Sequence, residues 1–287
     1  MTIHWPAETI WEAVSPLLPT FSVEVLPQID STNSELMRRA RAGQLDPVLL
    51  VAEHQTAGRG RLGRSWSSFN GGAESGHFAA GPPQGEIAPL GGNDPRSGGA
   101  WGLTFSLGLP LSPADWSGLS LAVGLAVVES LHPDLRLKWP NDVWLQERKL
   151  AGILIETVSV GEVRYAVVGV GINILLPHAQ DLRTPAAALC ELLPEVDAAG
   201  ALGLVAAPLV RAILRFEAEG FAPLRAAFHA RDLLYGRELV CSDGATGMAR
   251  GVDAGGALLL HTENGLKKIS SAEVSVRPAP VSSTNGS

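Results

Sequence analysis

The chain has 287 residues, enough for one large domain or one large and one small domain. Its 46% apolar content supplies a sizeable core. A formal net charge of −7 argues against a general nucleic-acid binder, which needs a basic surface, but leaves room for a local basic pocket that takes a small anion.

Taken in chain order, Trp5 to Leu18 reads as a short helix ahead of Pro19. Phe21 to Val25 alternates as a strand does. Thr32-Asn33-Ser34-Glu35 fits the capping pattern S/T-x-x-E and opens a helix to about Ala42, stopped by Gly43. Val48 to Glu53 is the next strand. The Gly/Pro-rich segment 70–99 lacks apolar periodicity and is expected to be poorly ordered. Strand character resumes over Trp101 to Leu109. A long helix with one apolar face is expected from Pro113 to Leu131, then strands at 135–139, 143–145, 150–158 and 163–174 and helices at 186–193 and 200–230. Five short strands near 238–242, 247–253, 257–261, 266–269 and 273–277, parted by Asp-Gly, Gly-Gly and Asn-Gly turns, suggest a small barrel. The polar tail beyond Pro278 is expected to be loose.

The two cysteines, Cys190 and Cys241, lack metal-ligand spacing and read as reduced thiols. The N-terminus has no basic stretch followed by an apolar one, and no uninterrupted apolar run approaches the ~20 residues of a membrane span. The expectation is a cytoplasmic protein with no membrane and no nucleic-acid partner.

Three stretches carry chemistry. Gly58 to Arg64 holds three arginines and three glycines and is followed by Trp66. Glycines let main-chain N–H groups approach an anion, arginines add bidentate charge, and a neighbouring tryptophan can stack a purine. Lys138-Trp139-Pro140-Asn141-Asp142 ends a strand in a turn, with Lys149 following at the mouth of the next strand. A carboxylate and an amide beside a phosphate site can hold Mg²⁺, and a carboxylate can orient or deprotonate an amine. Gly169-Val170-Gly171-Ile172-Asn173 places glycines inside a buried strand, which marks close approach by a ligand or another backbone. Ser31 and Thr32, at a helix N-terminus, serve equally as caps or as hydrogen-bonding groups for a small polar ring.

Together the D-S-T-N, E-x-Q-x-A-G-R-G-R-x-G-R-x-W, K-W-P-N-D, K-x-x-G-I-L and G-x-G-I-N elements, in this order from Asp30 to Asn173, resemble the biotin protein ligases. The C-terminal strand pattern is similar to that family's last domain. The resemblance implies an α+β catalytic domain on a mixed sheet at 1–232, an SH3-like β-barrel at 233–278 and a loose tail at 279–287. It implies that biotin lies against Ser31, Thr32, Asn33, Gln55, Gly58 and Gly152. Arg59 and Arg61 would fold over the biotin carboxylate and the adenylate phosphate, with Lys149 at the carboxylate and α-phosphate. Arg64, Trp66, Asn141, Asp142 and Asn173 would line the nucleotide, Asp142 meeting Mg²⁺. Lys149, Arg59, Arg61 and Asp142 are the expected catalytic set.

The substrates implied are biotin and ATP, and the partner is a biotin carboxyl carrier protein of acetyl-CoA carboxylase or another biotin-dependent carboxylase. The protein is expected to be a monomer or weak homodimer. The alternatives are a lipoate–protein ligase of the same superfamily and a biotin-sensing regulator. The stretch before Ser31 is too short for the regulators' winged helix-turn-helix, which speaks against the latter. Where the family has Gly-Asn-Leu after the tryptophan, this chain reads Gly99-Ala100-Trp101-Gly102-Leu103.

Overall fold

A computed structural model of the chain describes residues 3–64, 66, 101–176, 184–270 and 276–278. Helix α1 (Ala7–Val14) precedes β1 (Ser22–Ile29), α2 (Thr32–Arg41), β2 (Val48–Gln55), β3 (Gly102–Pro110), α3 (Leu119–Leu131), β4 (Arg136–Lys138), β5 (Asp142–Leu145), β6 (Arg148–Val160) and β7 (Val163–Asn173). Helices α4 (Ala198–Glu219) and α5 (Arg225–Arg231) follow. Five strands close the chain: β8 (Glu238–Cys241), β9 (Thr246–Val252), β10 (Leu258–Thr262), β11 (Gly265–Ile269) and β12 (Val276–Pro278).

The first seven strands form one mixed sheet in the order β1-β2-β3-β7-β6-β5-β4. Only β1 and β2 run parallel, with α2 as their crossover; every other pairing is antiparallel. The two faces of the sheet are treated differently. On one side α3 and α4 cover the strands, joined by α1, in a continuous apolar core that includes Leu103, Phe105, Ile153, Val170, Val127 and Leu209. On the other side, among the described elements, α2 packs through Leu36, Met37 and Ala40 against Leu50, Tyr165 and Val167. That thinner layer leaves a stretch of sheet bare beyond the helix N-terminus.

Most strand expectations hold, and the helices show the differences. Pro113 to Gly118 is not helical: Asp115 Oδ1 accepts from Ser117 N at 2.8 Å, and Gly118, at φ 84°, starts α3 only at Leu119. The helix buries ten of its residues rather than one face, because it is sandwiched between the sheet and α4. The 186–193 helix is absent apart from one 3₁₀ turn, Leu189–Glu191. Its first residues instead run beside Lys149, whose N–H donates to Pro185 O at 2.8 Å and whose carbonyl accepts from Ala187 N at 2.9 Å. The 200–230 helix is two helices, broken by Gly220 at φ 68° and by Pro223. Ser31, not Thr32, caps α2, its hydroxyl accepting from Ser34 N. The 70–99 segment and the 279–287 tail lie outside the described residues.

The last five strands form a second, antiparallel SH3-like sheet in the order β11-β10-β9-β8-β12. Two hydrogen bonds are among the contacts that fasten it to the first domain. The buried Trp139 indole donates from Nε1 to Gly256 O at 3.0 Å, and Leu233 N donates to Leu137 O at 2.9 Å on β4. Gly256, at φ 84°, packs so closely on Gly118 that a Cβ there would strike the Gly118 backbone. Helix α4 is long and apolar enough by length and composition to cross a bilayer, and it spends its apolar residues in the core.

Asp232, in the link between the sheets, titrates abnormally. Burial pushes its carboxyl up to about 6, Leu234 N–H on Oδ1 and the nearby His229 only partly opposing this, and Oδ2 has no hydrogen-bond partner among the described residues. A folded-state value raised above the unfolded 3.8 means that the native protein holds a proton which the unfolded chain has lost. Stability therefore falls as pH rises from about 4 to 6. Asp232→Asn removes the ionisation and keeps the Leu234 bond. The variant is expected to be more stable than wild type at pH 7 by roughly 1–3 kcal/mol, with the two converging below about pH 4. Denaturant melts across that pH range check this, and parallel curves at all pH values refute it.

Candidate active site

Strand register explains where the bare patch lies. Asp142, Gly152, Gly171 and Thr104 stand opposite one another across β5, β6, β7 and β3, and so do Leu154, Gly169 and Ser106 one pleat further on. Residues paired across a ladder, and residues two apart on one strand, share a face. All of these therefore face the α2 side. The three glycines leave that face without side chains at its centre, and other groups come down onto it.

Asn33, from the first turn of α2, lies against Gly169, where a Cβ would overlap its Oδ1. The Trp66 indole lies over the paired Gly152 and Gly171, where a Cβ at Gly171 would overlap the ring. The glycines of β7 are required by close approach, here of two side chains rather than of the ligand or backbone that the sequence suggests.

A cavity opens over this floor. Its wall includes Ser31, Thr32, Asn33 and Gln55 at one end; Arg59, Arg61, Arg64 and Trp66 as a rim; and Asn141, Asp142, Lys149 and Gly152 at the other end. Of the expected site residues, Gly58 and Asn173 are outside the wall. Gly58 closes the base of the arginine loop, its carbonyl accepting from Trp66 N at 2.8 Å. A Cβ there would overlap Trp66 O. Asn173 donates from Nδ2 to Ala187 O at 3.0 Å and to Lys149 O at 3.3 Å, so it holds the main chain from which Lys149 projects.

The Ser31 end is a buried polar network. Gln55 Oε1 accepts from Thr32 N at 2.8 Å and lies 3.1 Å from Thr32 Oγ1. Ser106 Oγ is 2.6 Å from both Thr32 Oγ1 and Asn33 Oδ1, and Asn33 Nδ2 donates to Leu154 O and to Glu156. Ser31, Thr32, Asn33, Gln55 and Ser106 are all buried. Polar groups kept out of water are held by such bonds, and those facing a cavity are ready for a polar ligand.

The opposite end is charged. Five cationic side chains line the cavity, namely Arg59, Arg61, Arg64, Lys138 and Lys149, against one carboxylate, Asp142. A strongly basic pocket thus exists inside an acidic chain. Lys149 Nζ pairs with Asp142 Oδ1 at 2.7 Å and lies 5.9 Å from the centroid of the Trp66 ring. Arg61 Nη1 donates to Asn141 Oδ1 at 3.3 Å. Burial pulls the Arg61 guanidinium below its ordinary value, Asp142 opposing and Arg64 reinforcing the effect. It remains a cation at neutral pH. Asn141 is fixed by its own backbone and side chain, Nδ2 donating to Ile153 O at 2.6 Å and the carbonyl accepting from Ile153 N at 3.0 Å. Ser120 of α3 donates to Pro140 O at 2.9 Å, and the Trp139–Pro140 peptide is cis.

Thr104, Ser106 and Glu156 belong to the site or touch it, and no motif marks them; Lys138 opens the K-W-P-N-D element but is not among the expected site residues. Ser106 and Glu156 could have been found from the sheet register alone, once β3, β6 and β7 are aligned. Among the described residues no three metal-ligating side chains gather. A single carboxylate suits a magnesium ion that arrives on nucleotide phosphates.

The cavity on this mixed sheet thus joins a glycine floor, a buried polar end and a cationic end suited to anionic ligands. Residues 98–173 match the biotin/lipoate A/B protein ligase family, and residues 242–277 match the biotin protein ligase C-terminal domain. The bifunctional ligase/repressor BirA of Escherichia coli is 34% identical over 269 residues, spanning 90% of this chain and 75% of that protein. The biotin–[acetyl-CoA-carboxylase] ligase of Paracoccus denitrificans is 33% identical over 259 residues, spanning 87% of this chain and 98% of that one. The solved biotin protein ligase of Aquifex aeolicus in complex with biotin and ATP superposes with a TM-score of 0.69 at 28% identity, covering 90% of this chain and 99% of that one. The chain belongs to the biotin protein ligase family.

Proposed function

We propose that this protein is an ATP-dependent biotin protein ligase, and that its substrates are biotin, MgATP and a biotin carboxyl carrier protein. The observation that carries the reading is the single cavity wall joining a buried hydrogen-bonding end at Ser31, Thr32 and Gln55 to a cationic end at Arg61 and Lys149. Residues 1–232 act as the catalytic unit and 233–278 as the small C-terminal one.

Biotin's ureido ring lies at the first end, against Thr32, Gln55 and Ser31. Its carboxylate reaches the second, where Lys149 and Arg61 reduce the repulsion between the carboxylate and the α-phosphate of ATP. A carboxylate oxygen attacks the α-phosphorus and pyrophosphate leaves, giving biotinyl-5′-AMP. A carrier lysine amine then attacks the acyl carbon, forming the amide and releasing AMP and a proton. Asp142, the carboxylate of the cavity wall, would take up that proton and would help hold the magnesium that neutralises phosphate charge. Neither step needs an enzyme-bound covalent intermediate, so positioning and charge neutralisation supply the rate. Trp66, already on the glycine floor, offers its ring face to adenine.

ATP–pyrophosphate exchange with biotin and lipoate supplied in turn tests the reaction and the substrate together. Exchange with biotin alone is expected. The buried polar end disfavours lipoate, whose dithiolane offers no hydrogen-bonding group to the polar atoms that face the cavity. Exchange with lipoate alone refutes the biotin assignment.

Arg61→Ala is expected to speed release of biotinyl-AMP far more than it weakens binding of biotin itself. The guanidinium sits at the charged end beside Asn141, remote from the buried polar network. Stopped-flow dissociation of the adenylate reads this directly, and an unchanged off-rate removes Arg61 from the phosphate site.

A further inference from the structure

Glu156 is absent from the motif set and from the cavity wall, yet it touches both halves of the site. It lies on β6 two and four residues beyond Leu154 and Gly152, on the same face of the sheet. One oxygen, Oε1, pairs with Arg59 Nη2 at 3.1 Å. The other accepts from Asn33 Nδ2 at 3.0 Å and from Arg59 Nη1 at 3.4 Å. Arg59 is thereby drawn back toward α2, where it also reaches Ser34 Oγ at 3.4 Å. Of the two carboxylates in and beside the site, Asp142 pairs with Lys149 and Glu156 with Arg59.

We infer that Glu156 is a resident counter-anion for Arg59, and that an anionic ligand binds by taking Arg59 over from it. This rests on the ligase reading and adds to it a residue that sets how strongly the site prefers charged ligands. Two physical effects act in the same direction. If Arg59 leaves Glu156 for a ligand carboxylate or phosphate, the existing pair is broken. If Arg59, with five donors, contacts both at once, the Glu156 charge repels the ligand. In either case Glu156 weakens anion binding, and it has no charge interaction with a neutral ligand. It keeps the loop arginine occupied between turnovers and hastens release of the charged product. Half the Arg59 side chain is exposed, so the pair is worth little and is easily exchanged.

The test uses Glu156→Gln, which loses the charge and keeps an oxygen for Asn33. Calorimetry is done on the full chain with biotin, an anion, and with biotin methyl ester, which is neutral, at low and high salt. The expected result is biotin bound about two- to fivefold tighter than by wild type, the gain shrinking at high salt and the ester unaffected. In an Arg59→Gln background the same substitution should gain less, since no ion pair is left to break, and an equal gain overturns the takeover of Arg59. Glu156→Gln binding biotin no tighter than wild type, or shifting biotin and ester equally, overturns the inference, since an equal shift would place its action on Asn33. Wild-type protein that binds neither compound overturns the ligase reading itself, and this inference with it.

Discussion

Lys149→Ala should slow ATP–pyrophosphate exchange by about tenfold or more at saturating biotin and ATP, a loss of at least ~1.4 kcal/mol of transition-state stabilisation. Two anions must meet at the cationic end of the cavity, and Lys149 Nζ stands there 2.7 Å from Asp142. Removing it takes away one positive charge and also exposes the Asp142 carboxylate, uncompensated, to a carboxylate and a triphosphate. In a poorly solvated site both changes raise the barrier. The fold should not suffer. The Lys149 backbone is held by Pro185, Ala187 and Asn173, all through main-chain atoms of residue 149, which alanine retains. Thermal stability should fall by no more than about 1 kcal/mol, the loss of the partly exposed Asp142 pair. Exchange at the wild-type rate would shift the neutralising role to Arg59 and Arg61.

The reason Lys149 was legible in the sequence, and Glu156 was not, lies in how each is encoded. Lys149, Arg61 and Asn141 sit inside contiguous motifs, where glycine, proline and charge are unusual enough together to be noticed. The strands were legible because buried β7 reads as one long apolar run and the last five are parted by turn residues. Ser106 and Glu156 are single polar residues inside strands, and only their partners across the ladder, Gly169 for Ser106 and Val167 for Glu156, put them beside α2. The helices misled where local pattern competed with longer-range bonds. Ala186 and Ala187 have helical composition but run beside Lys149, and α4 and α5 look continuous until Gly220 takes a positive φ. Asn173 ends a motif and invites a ligand role, whereas its amide is spent on two carbonyls behind the site.

Two alanine substitutions one pleat apart on β7 should separate the fold of the site from its nucleotide chemistry. At Gly169 an added Cβ overlaps the Asn33 amide, which cannot retreat cheaply: it donates to Leu154 O and Glu156 and accepts from Ser106, all at the buried end. Gly169→Ala therefore forces either a backbone shift or the loss of those bonds. The expected cost is about 1–3 kcal/mol of stability, with biotin affinity falling tenfold or more. At Gly171 the added Cβ meets the Trp66 indole instead. That ring belongs to the arginine loop and can tilt away, so Gly171→Ala should leave stability within about 1 kcal/mol of wild type. Its cost should appear in the KM for ATP, because a displaced Trp66 no longer presents its face over the floor where adenine is proposed to lie. Denaturant melts, biotin calorimetry and exchange kinetics on the two variants decide the matter. Equal melting of both with wild type would mean that neither glycine is needed for close approach. A loss of biotin affinity at Gly171 equal to that at Gly169 would mean that the two ends of the cavity do not divide the ligand as proposed.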